Sequence, residues 1–124
     1  MKVYVSGQIT GLDETVAAEM FAQAANDIKF GSILFGDVEV INPMELPHLH
    51  EGKWIDYMCE DIRALHDCQM IYMLPNWRDS KGARIEHAIA EILGLDIYYD
   101  EIGTHEENNM SDERNELIKG ELYT

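Results

Sequence analysis

Two carboxylates that fall on apolar helix faces are the first candidates for chemistry. In the segment Ser80–Leu93, the helical period places Glu86 on the same face as small and apolar residues: Gly82, Ala83, Ile89, Ala90 and Leu93. In the segment Trp54–Asp67, Asp61 shares a face with Trp54, Tyr57, Met58 and Leu65. Burying an ionised carboxylate is costly unless partners or a ligand compensate. The two placements predict a lined active-site cleft; the alternative is that both carboxylates lie at helix ends open to water.

Two loops could hold a ligand beside these carboxylates. The first reads Ser6-Gly7-Gln8-Ile9-Thr10-Gly11, where glycine allows backbone amides to approach a ligand closely. This loop lacks the full Gly-x-Gly-x-x-Gly motif of dinucleotide-binding proteins and the Walker motif with its Gly-Lys-Ser/Thr ending. In the second, Ser80 can cap the third helix while free amides near Gly82 point outward for a phosphate, although an ordinary serine cap is an equal alternative. Trp77 precedes this cap, and its loop position favours contact with a flat ligand ring over packing.

The histidines give no metal site. His48 and His50 form a His-x-His pair, but no cluster of carboxylates or cysteines completes a ligand set. His66 and His87 are predicted to be solvated or locally hydrogen-bonded. We therefore predict no metal and no cofactor.

Tyr4 lies in a strand that is predicted to be buried on both sides, so its hydroxyl needs a polar partner.

Composition limits the classes of partner. The 124 residues include 24 acidic and 9 basic side chains, a net charge of −15, which opposes binding to a nucleic-acid polymer. A small anionic ligand remains compatible, because a helix N-terminus supplies a local positive field. The absence of a leader and of a membrane-length apolar stretch predicts a soluble, cytoplasmic protein with no membrane partner. Cys59 and Cys68 are predicted to be reduced, buried thiols.

Strand-like and helical segments alternate along the chain. The predicted strands are Lys2–Val5, Val38–Ile41, Gln69–Leu74 and Asp96–Tyr99, and the helices run from an Asp13 cap to Gly31, over Trp54–Asp67 and over Ser80–Leu93. This order predicts an α/β, Rossmann-like (flavodoxin-like) three-layer domain over residues 1–99, with a parallel sheet of four to five strands. Ligands bind such sheets outside the carboxyl ends of the strands. Residues 100–124 are predicted to be an acidic C-terminal tail or subunit arm.

Three motifs together resemble the nucleoside 2-deoxyribosyltransferase superfamily, which includes the 2'-deoxynucleoside 5'-monophosphate N-glycosidases. They are Tyr4-Val5-Ser6-Gly7-Gln8-Ile9-Thr10-Gly11, Glu60-Asp61-Ile62-Arg63-Ala64-Leu65 and Ser80-Lys81-Gly82-Ala83-Arg84-Ile85-Glu86. Their order and spacing are fairly specific, and the resemblance covers the chain from Met1 to about Tyr99.

The resemblance implies roles for individual residues. Glu86 matches the family's nucleophilic glutamate, Asp61 its acid or base, and Tyr4 the tyrosine that orients the glutamate. Ser80 matches a serine that holds the 5'-phosphate. The loop positions that carry a phosphate-contacting serine and arginine in the monophosphate branch are here Gln8 and Thr10.

The residues and the resemblance converge on cleavage or transfer of the N-glycosidic bond of 2'-deoxyribonucleosides or their 5'-monophosphates. The predicted substrate-binding residues are Ser6, Gly7, Gln8, Ile9, Gly11, Trp77, Ser80 and Gly82. The expected partners are a small-molecule nucleoside or nucleotide and further copies of this chain, as a homodimer or higher homo-oligomer. One alternative is a catalytically inactive nucleotide-binding sensor or ligand-sequestering protein of the same fold. Another is an interaction protein whose acidic tail engages a basic partner.

Overall fold

The computed structural model describes residues 1–31, 37–46 and 52–100, and the predicted alternation of strands and helices is present in these ranges. The strands are β1 (Lys2–Ser6), β2 (Glu39–Ile41), β3 (Met70–Met73) and β4 (Asp96–Tyr99). The helices are α1 (Glu14–Phe30), α2 (Trp54–His66) and α3 (Lys81–Leu93). Two short 3-10 turns, Pro43–Glu45 and Trp77–Asp79, follow β2 and β3. The predictions for His48, for His50 and for the tail beyond Asp100 fall outside the described residues.

The four strands form one parallel sheet in the order β2-β1-β3-β4. Tyr4 in β1 lies between Ile41 of β2 and Ile71 of β3. The chain first moves outward from β1 to β2 and then crosses to the other side of β1 to form β3. The carboxyl ends of β1 and β3 therefore flank a topological switch point, where open α/β sheets bind ligands. The predicted fold class is confirmed.

The two faces of the sheet bury separate clusters of side chains. Val3 and Val5 of β1 point to one face and pack with Phe21 and Ile28 of α1. The alternate residue Tyr4 points to the other face, where the core includes residues of α2 and α3: Leu65, Ala83 and Ala90. Because successive side chains of a strand point to opposite faces, β1 carries both clusters. Helices on both faces of the sheet complete the three layers.

Local sequence signals determine where two of the helices begin and end. The Asp13 carboxylate accepts hydrogen bonds from the Thr15 and Val16 amides at 2.9 and 3.3 Å, and α1 ends at Gly31. Ser80 occupies the corresponding position before α3. These caps satisfy amides that have no partner within the helix. The predicted caps and the predicted stop of α1 are therefore confirmed.

The burial predicted for Cys59 is wrong. Cys68 is buried, but Cys59 is exposed on α2. Asp61 and Met58 occupy the inward face of that helix, and Cys59 lies between them in sequence, where the helical period turns its side chain away from the core. Both thiols are free. In the described part of the chain, no helix is long and apolar enough to cross a membrane.

Candidate active site

Glu86 lies at the carboxyl end of β1, and a hydroxyl group contacts each of its carboxylate oxygens. The Tyr4 hydroxyl donates to Oε2 at 2.6 Å, and the Ser6 hydroxyl donates to Oε1 at 2.7 Å. Only 5% of Glu86 is exposed, and Tyr4 and Ser6 are fully or almost fully buried. The glutamate of the predicted apolar face is thus buried, with its carboxylate held at both oxygens.

The two hydroxyl groups reach the same carboxylate because strand geometry aligns them. Tyr4 and Ser6 are two residues apart in β1, so both side chains point to the face that packs against α3. The helical period of α3 turns Glu86 inward together with Ala83 and Ala90. The sequence predicted Ser6 as a substrate-binding residue, whereas in the structure its hydroxyl holds Glu86.

Burial dominates the electrostatics of the site. The pKa of Glu86 is raised from 4.5 to about 7, mainly by desolvation; the hydrogen bonds from Tyr4 and Ser6 oppose this rise, and the charge of Asp61 adds to it. The pKa of Tyr4 is raised well above 10.0, first by burial and then by the charges of Glu86 and Asp61. Glu86 therefore changes its protonation state near neutral pH, while the Tyr4 hydroxyl remains a hydrogen-bond donor.

Asp61 is the second carboxylate, and α2 places it beside the first. It is 8% exposed and shares the buried face of α2 with Met58 and Leu65. Its charge raises the pKa of Glu86, so the two carboxylates lie within electrostatic reach. α2 packs closely against the start of α3, since a Cβ added at Gly82 would lie 3.0 Å from the Met58 sulfur. The sequence-based pairing of Asp61 with Glu86 is consistent with this arrangement.

The loop after β1 packs tightly against the loop after β3. A Cβ added at Gly7 would lie 2.6 Å from Leu74 Cδ1, so a side chain there would collide with Leu74. The Gln8 amide donates to Asn76 Oδ1 at 3.1 Å, and the Gln8 side chain donates to the Thr10 carbonyl at 3.2 Å. The loop then turns at Gly11, whose φ of +91° favours glycine. Ile9, in the same turn, is 37% exposed.

Ser80 caps α3, as its sequence position predicts. Its Oγ accepts a hydrogen bond from the Ala83 amide at 3.1 Å, while its hydroxyl hydrogen can still be donated. The next residue, Lys81, places its ammonium group 4.8 Å from the centre of the Trp54 ring. Trp54 is 39% exposed at the first turn of α2. The start of α3 therefore combines a hydroxyl donor, a cation and an exposed aromatic ring.

Trp77 is buried instead of forming an open ring surface. It is 6% exposed, stacks on the His87 ring at 4.3 Å and carries the Arg78 guanidinium 4.6 Å from its own ring centre. His87 Nε2 and the Tyr99 hydroxyl are hydrogen-bonded at 2.7 Å, which fits the predicted local bonding of His87. Ligand stacking on Trp77 would require Arg78 or His87 to move. Its ligand contact stays a prediction.

The structure brings the predicted catalytic residues together and places a shallow cavity at the other end of the sheet. Glu86, Tyr4 and Asp61 lie together, and the loop residues 6–11 and the start of α3 flank them. Asn76 is a site residue that the sequence analysis missed, since only its position after β3 could have indicated it. A shallow cavity of about 510 Å³ lies at the opposite, amino end of the strands and includes Lys2 and Gln69 in its lining. It contains no predicted site residue.

No metal-binding cluster of three or more histidine, cysteine or acidic side chains is present within the described ranges. Comparison with curated proteins and with solved structures gives no match. The sequence does match one protein family over residues 1–99, which is the whole of the α/β domain. The chain therefore belongs to the family described as "Domain of unknown function (DUF4406)".

Proposed function

We propose that this protein cleaves or transfers the N-glycosidic bond of 2'-deoxyribonucleosides or their 5'-monophosphates, with Glu86 as the nucleophile. The observation that carries the proposal is the buried Glu86 carboxylate with a hydroxyl donor on each oxygen. Such a group is oriented before substrate arrives, and its pKa of about 7 leaves a reactive carboxylate at neutral pH. The position of Glu86 at the switch point, where open α/β sheets bind ligands, also supports the proposal.

In the first step, a Glu86 oxygen forms a bond to the anomeric carbon as the bond from that carbon to the base nitrogen breaks. Substrate binding removes water from Asp61 and favours its protonated form, and the Asp61 carboxyl group then gives this proton to the departing base. In the second step, water attacks the anomeric carbon, the bond to Glu86 breaks, and Asp61 takes the proton of the water. In transfer, the nitrogen of a second base replaces the water. The Tyr4 and Ser6 hydroxyls hold the carboxylate in one orientation throughout.

The phosphate preference rests on the start of α3. The Ser80 hydroxyl retains a hydrogen to donate, and Lys81 supplies a positive charge beside it. These groups suit a 5'-phosphate, because helix N-termini and cations both favour anions. We expect monophosphates to bind better than the matching nucleosides.

Incubation of the protein with each 2'-deoxynucleoside and its 5'-monophosphate, followed by chromatography for free base, tests the proposal. The wild-type protein should release base from at least one substrate, and addition of a second base distinguishes transfer from hydrolysis. Glu86→Gln should lose base release, because glutamine keeps the shape of the side chain and lacks the nucleophile. Glu91→Gln, on the exposed side of the same helix, is the matched control and should keep wild-type turnover.

A binding-only function is the second candidate, and the loop after β1 favours it. The Gln8 side chain donates to the main-chain carbonyl of Thr10, so this side chain is bound within the loop instead of pointing to a ligand phosphate. A sensor or ligand-sequestering protein would bind a deoxynucleotide tightly and release no base. Titration calorimetry with wild-type protein, followed by chromatography of the same sample, separates the two functions.

The proposal includes a cytoplasmic location and self-association as a homodimer or higher homo-oligomer. Large apolar side chains remain exposed on the described surface, among them Ile92 at 84% and Ile55 at 54%. Contact with a second copy of the chain would remove such side chains from water, which is favourable for apolar surface. Light scattering after size-exclusion chromatography measures the oligomeric state directly.

A further inference from the structure

One side chain links the loops on the two sides of the switch point. Asn76, three residues after the end of β3, accepts a hydrogen bond through Oδ1 from the Gln8 amide at 3.1 Å. The amide end of the same side chain contacts Met20 Sδ of α1 at 3.8 Å. Asn76 therefore joins the loop after β1, the loop after β3 and α1 at the edge of the sheet that carries Glu86.

The orientation of this side chain follows from its partners. The Gln8 N–H can only donate, so the group that faces it must be the carbonyl oxygen of Asn76 and not its nitrogen. Beyond this contact the loop turns at Gly11, and Ile9 is partly exposed in the turn. A backbone bond from the Leu12 amide to the Ile9 carbonyl closes the turn itself, and Asn76 supplies the side-chain acceptor that ties the start of the turn to the loop after β3.

We infer that Asn76 is a positioning residue for the substrate-binding loop, an inference that rests on the proposed function. Glu86 is held by Tyr4 and Ser6, and neither of these hydrogen bonds involves Asn76 or a residue beyond Ser6 in the loop. Loss of the Asn76 acceptor would therefore displace the part of the loop that binds substrate and leave the nucleophile in place. The expected signature is a higher KM with an almost unchanged kcat.

Three variants test this inference. Asn76→Leu keeps the approximate shape of the side chain and removes the acceptor. Asn76→Asp keeps an oxygen that can accept from the Gln8 amide. Gln69→Leu is the matched control, because Gln69 Oε1 accepts from the Lys2 amide at 2.7 Å and joins the same two strands at their amino ends. Neutral deoxynucleosides serve as substrates, so that the added charge of Asn76→Asp does not repel a phosphate.

We expect Asn76→Leu to raise KM about tenfold, the size typical for loss of one hydrogen bond at a loop, with kcat within about twofold of wild type. Asn76→Asp should have a KM close to that of wild type, and Gln69→Leu should leave KM unchanged. An unchanged KM in Asn76→Leu, or an equal rise in Gln69→Leu, would overturn the inference. Failure of Asn76→Asp to restore KM would also overturn it, because Asn76 would then act through its nitrogen.

Amide hydrogen exchange, measured by NMR without substrate, separates this inference from the proposed function. The Gln8 and Leu12 amides, which donate to Asn76 Oδ1 and to the Ile9 carbonyl, should exchange faster in Asn76→Leu than in wild type, and at the wild-type rate in Asn76→Asp and Gln69→Leu. If the wild-type protein turns over no deoxynucleoside, the proposed function fails and the exchange rates decide this inference. Equal exchange in Asn76→Leu and wild type would refute the role of Asn76 whatever the activity.

Discussion

The buried Glu86 carboxyl group should make the stability of the fold depend on pH in a way that Glu86→Gln removes. In the unfolded chain a glutamate titrates near 4.5, and in the folded protein Glu86 titrates near 7. Between these values the folded state holds a proton that the unfolded state has lost. The contribution of Glu86 to stability is therefore fully present below pH 4.5 and falls as pH rises towards 7. Above pH 7 the folded state carries the whole cost of a buried charge.

The size of this effect follows from the two pKa values. The difference between 4.5 and about 7, at about 1.36 kcal/mol for each pH unit, corresponds to about 3 kcal/mol. Solvent screening reduces this value little, because Glu86 is only 5% exposed. Glutamine does not ionise and avoids this cost. The free energy of unfolding of Glu86→Gln should therefore rise by about 3 kcal/mol relative to that of wild type between acid and alkaline pH.

Urea unfolding followed by circular dichroism measures this gain. Wild type, Glu86→Gln and the exposed control Glu91→Gln are compared from pH 5 to 8.5, above the sequence pI of about 4.4 where precipitation is expected. The free energy of unfolding of Glu86→Gln minus that of wild type should rise with pH, while the difference for Glu91→Gln should stay flat. A flat difference for Glu86→Gln would show that Glu86 is solvated or ionised at low cost, and the reasoning about its burial would be refuted.

Other predictions concern catalysis, binding and packing. With neutral nucleosides, kcat/KM should rise with pH through about 7, because Glu86 must be ionised to attack; a profile flat from pH 5 to 8 would contradict this. Asp61→Asn should remove most of the rate with ordinary bases and much less with activated leaving bases, and equal losses would show that Asp61 does not donate a proton. In titration calorimetry, Ser80→Ala should narrow the affinity gap between monophosphates and nucleosides, while equal wild-type affinities would remove the phosphate site. Gly7→Ala should lower the free energy of unfolding by about 1–3 kcal/mol, because its Cβ would meet Leu74, and an unchanged free energy of unfolding would contradict this.

The sequence predicted the fold well because each element carries a strong local signal. The continuous apolar run of β3 predicts a buried strand, and the apolar faces of α2 and α3 recur with the helical period. Asp13 and Ser80 mark the starts of two helices. The bounds of β2 and β3 differ by one residue or so, because the ends of short strands depend on pairing with neighbours instead of residue type. The 3-10 turns after β2 and β3 were not predicted, since turns of one or two hydrogen bonds leave no periodic pattern.

The prediction of the site was weaker, because a helical period gives the direction of a side chain and not its depth. Trp54 lies on the face of Asp61 as predicted, yet it is 39% exposed, since the first turn of α2 extends beyond the packed layer. Trp77 has no periodic signal and is buried between His87 and Arg78. The alternation of Tyr4 and Ser6 in β1 could have predicted their shared carboxylate, whereas no local pattern could have indicated Asn76.

The hydrogen bond between Tyr4 and Glu86 has a consequence for how the chain folds. It joins residues 82 positions apart, from the central strand to the last helix of the described domain. Without α3, the sheet face that carries Tyr4 would lack Ala83 and Ala90, and the Tyr4 side chain would be more exposed to water. A nascent chain that has emerged only as far as β3 therefore cannot bury this face of the sheet. The domain should gain its final stability in one late, cooperative step, when α3 and β4 have both emerged, and the contact between Tyr4 and Glu86 forms only in that step.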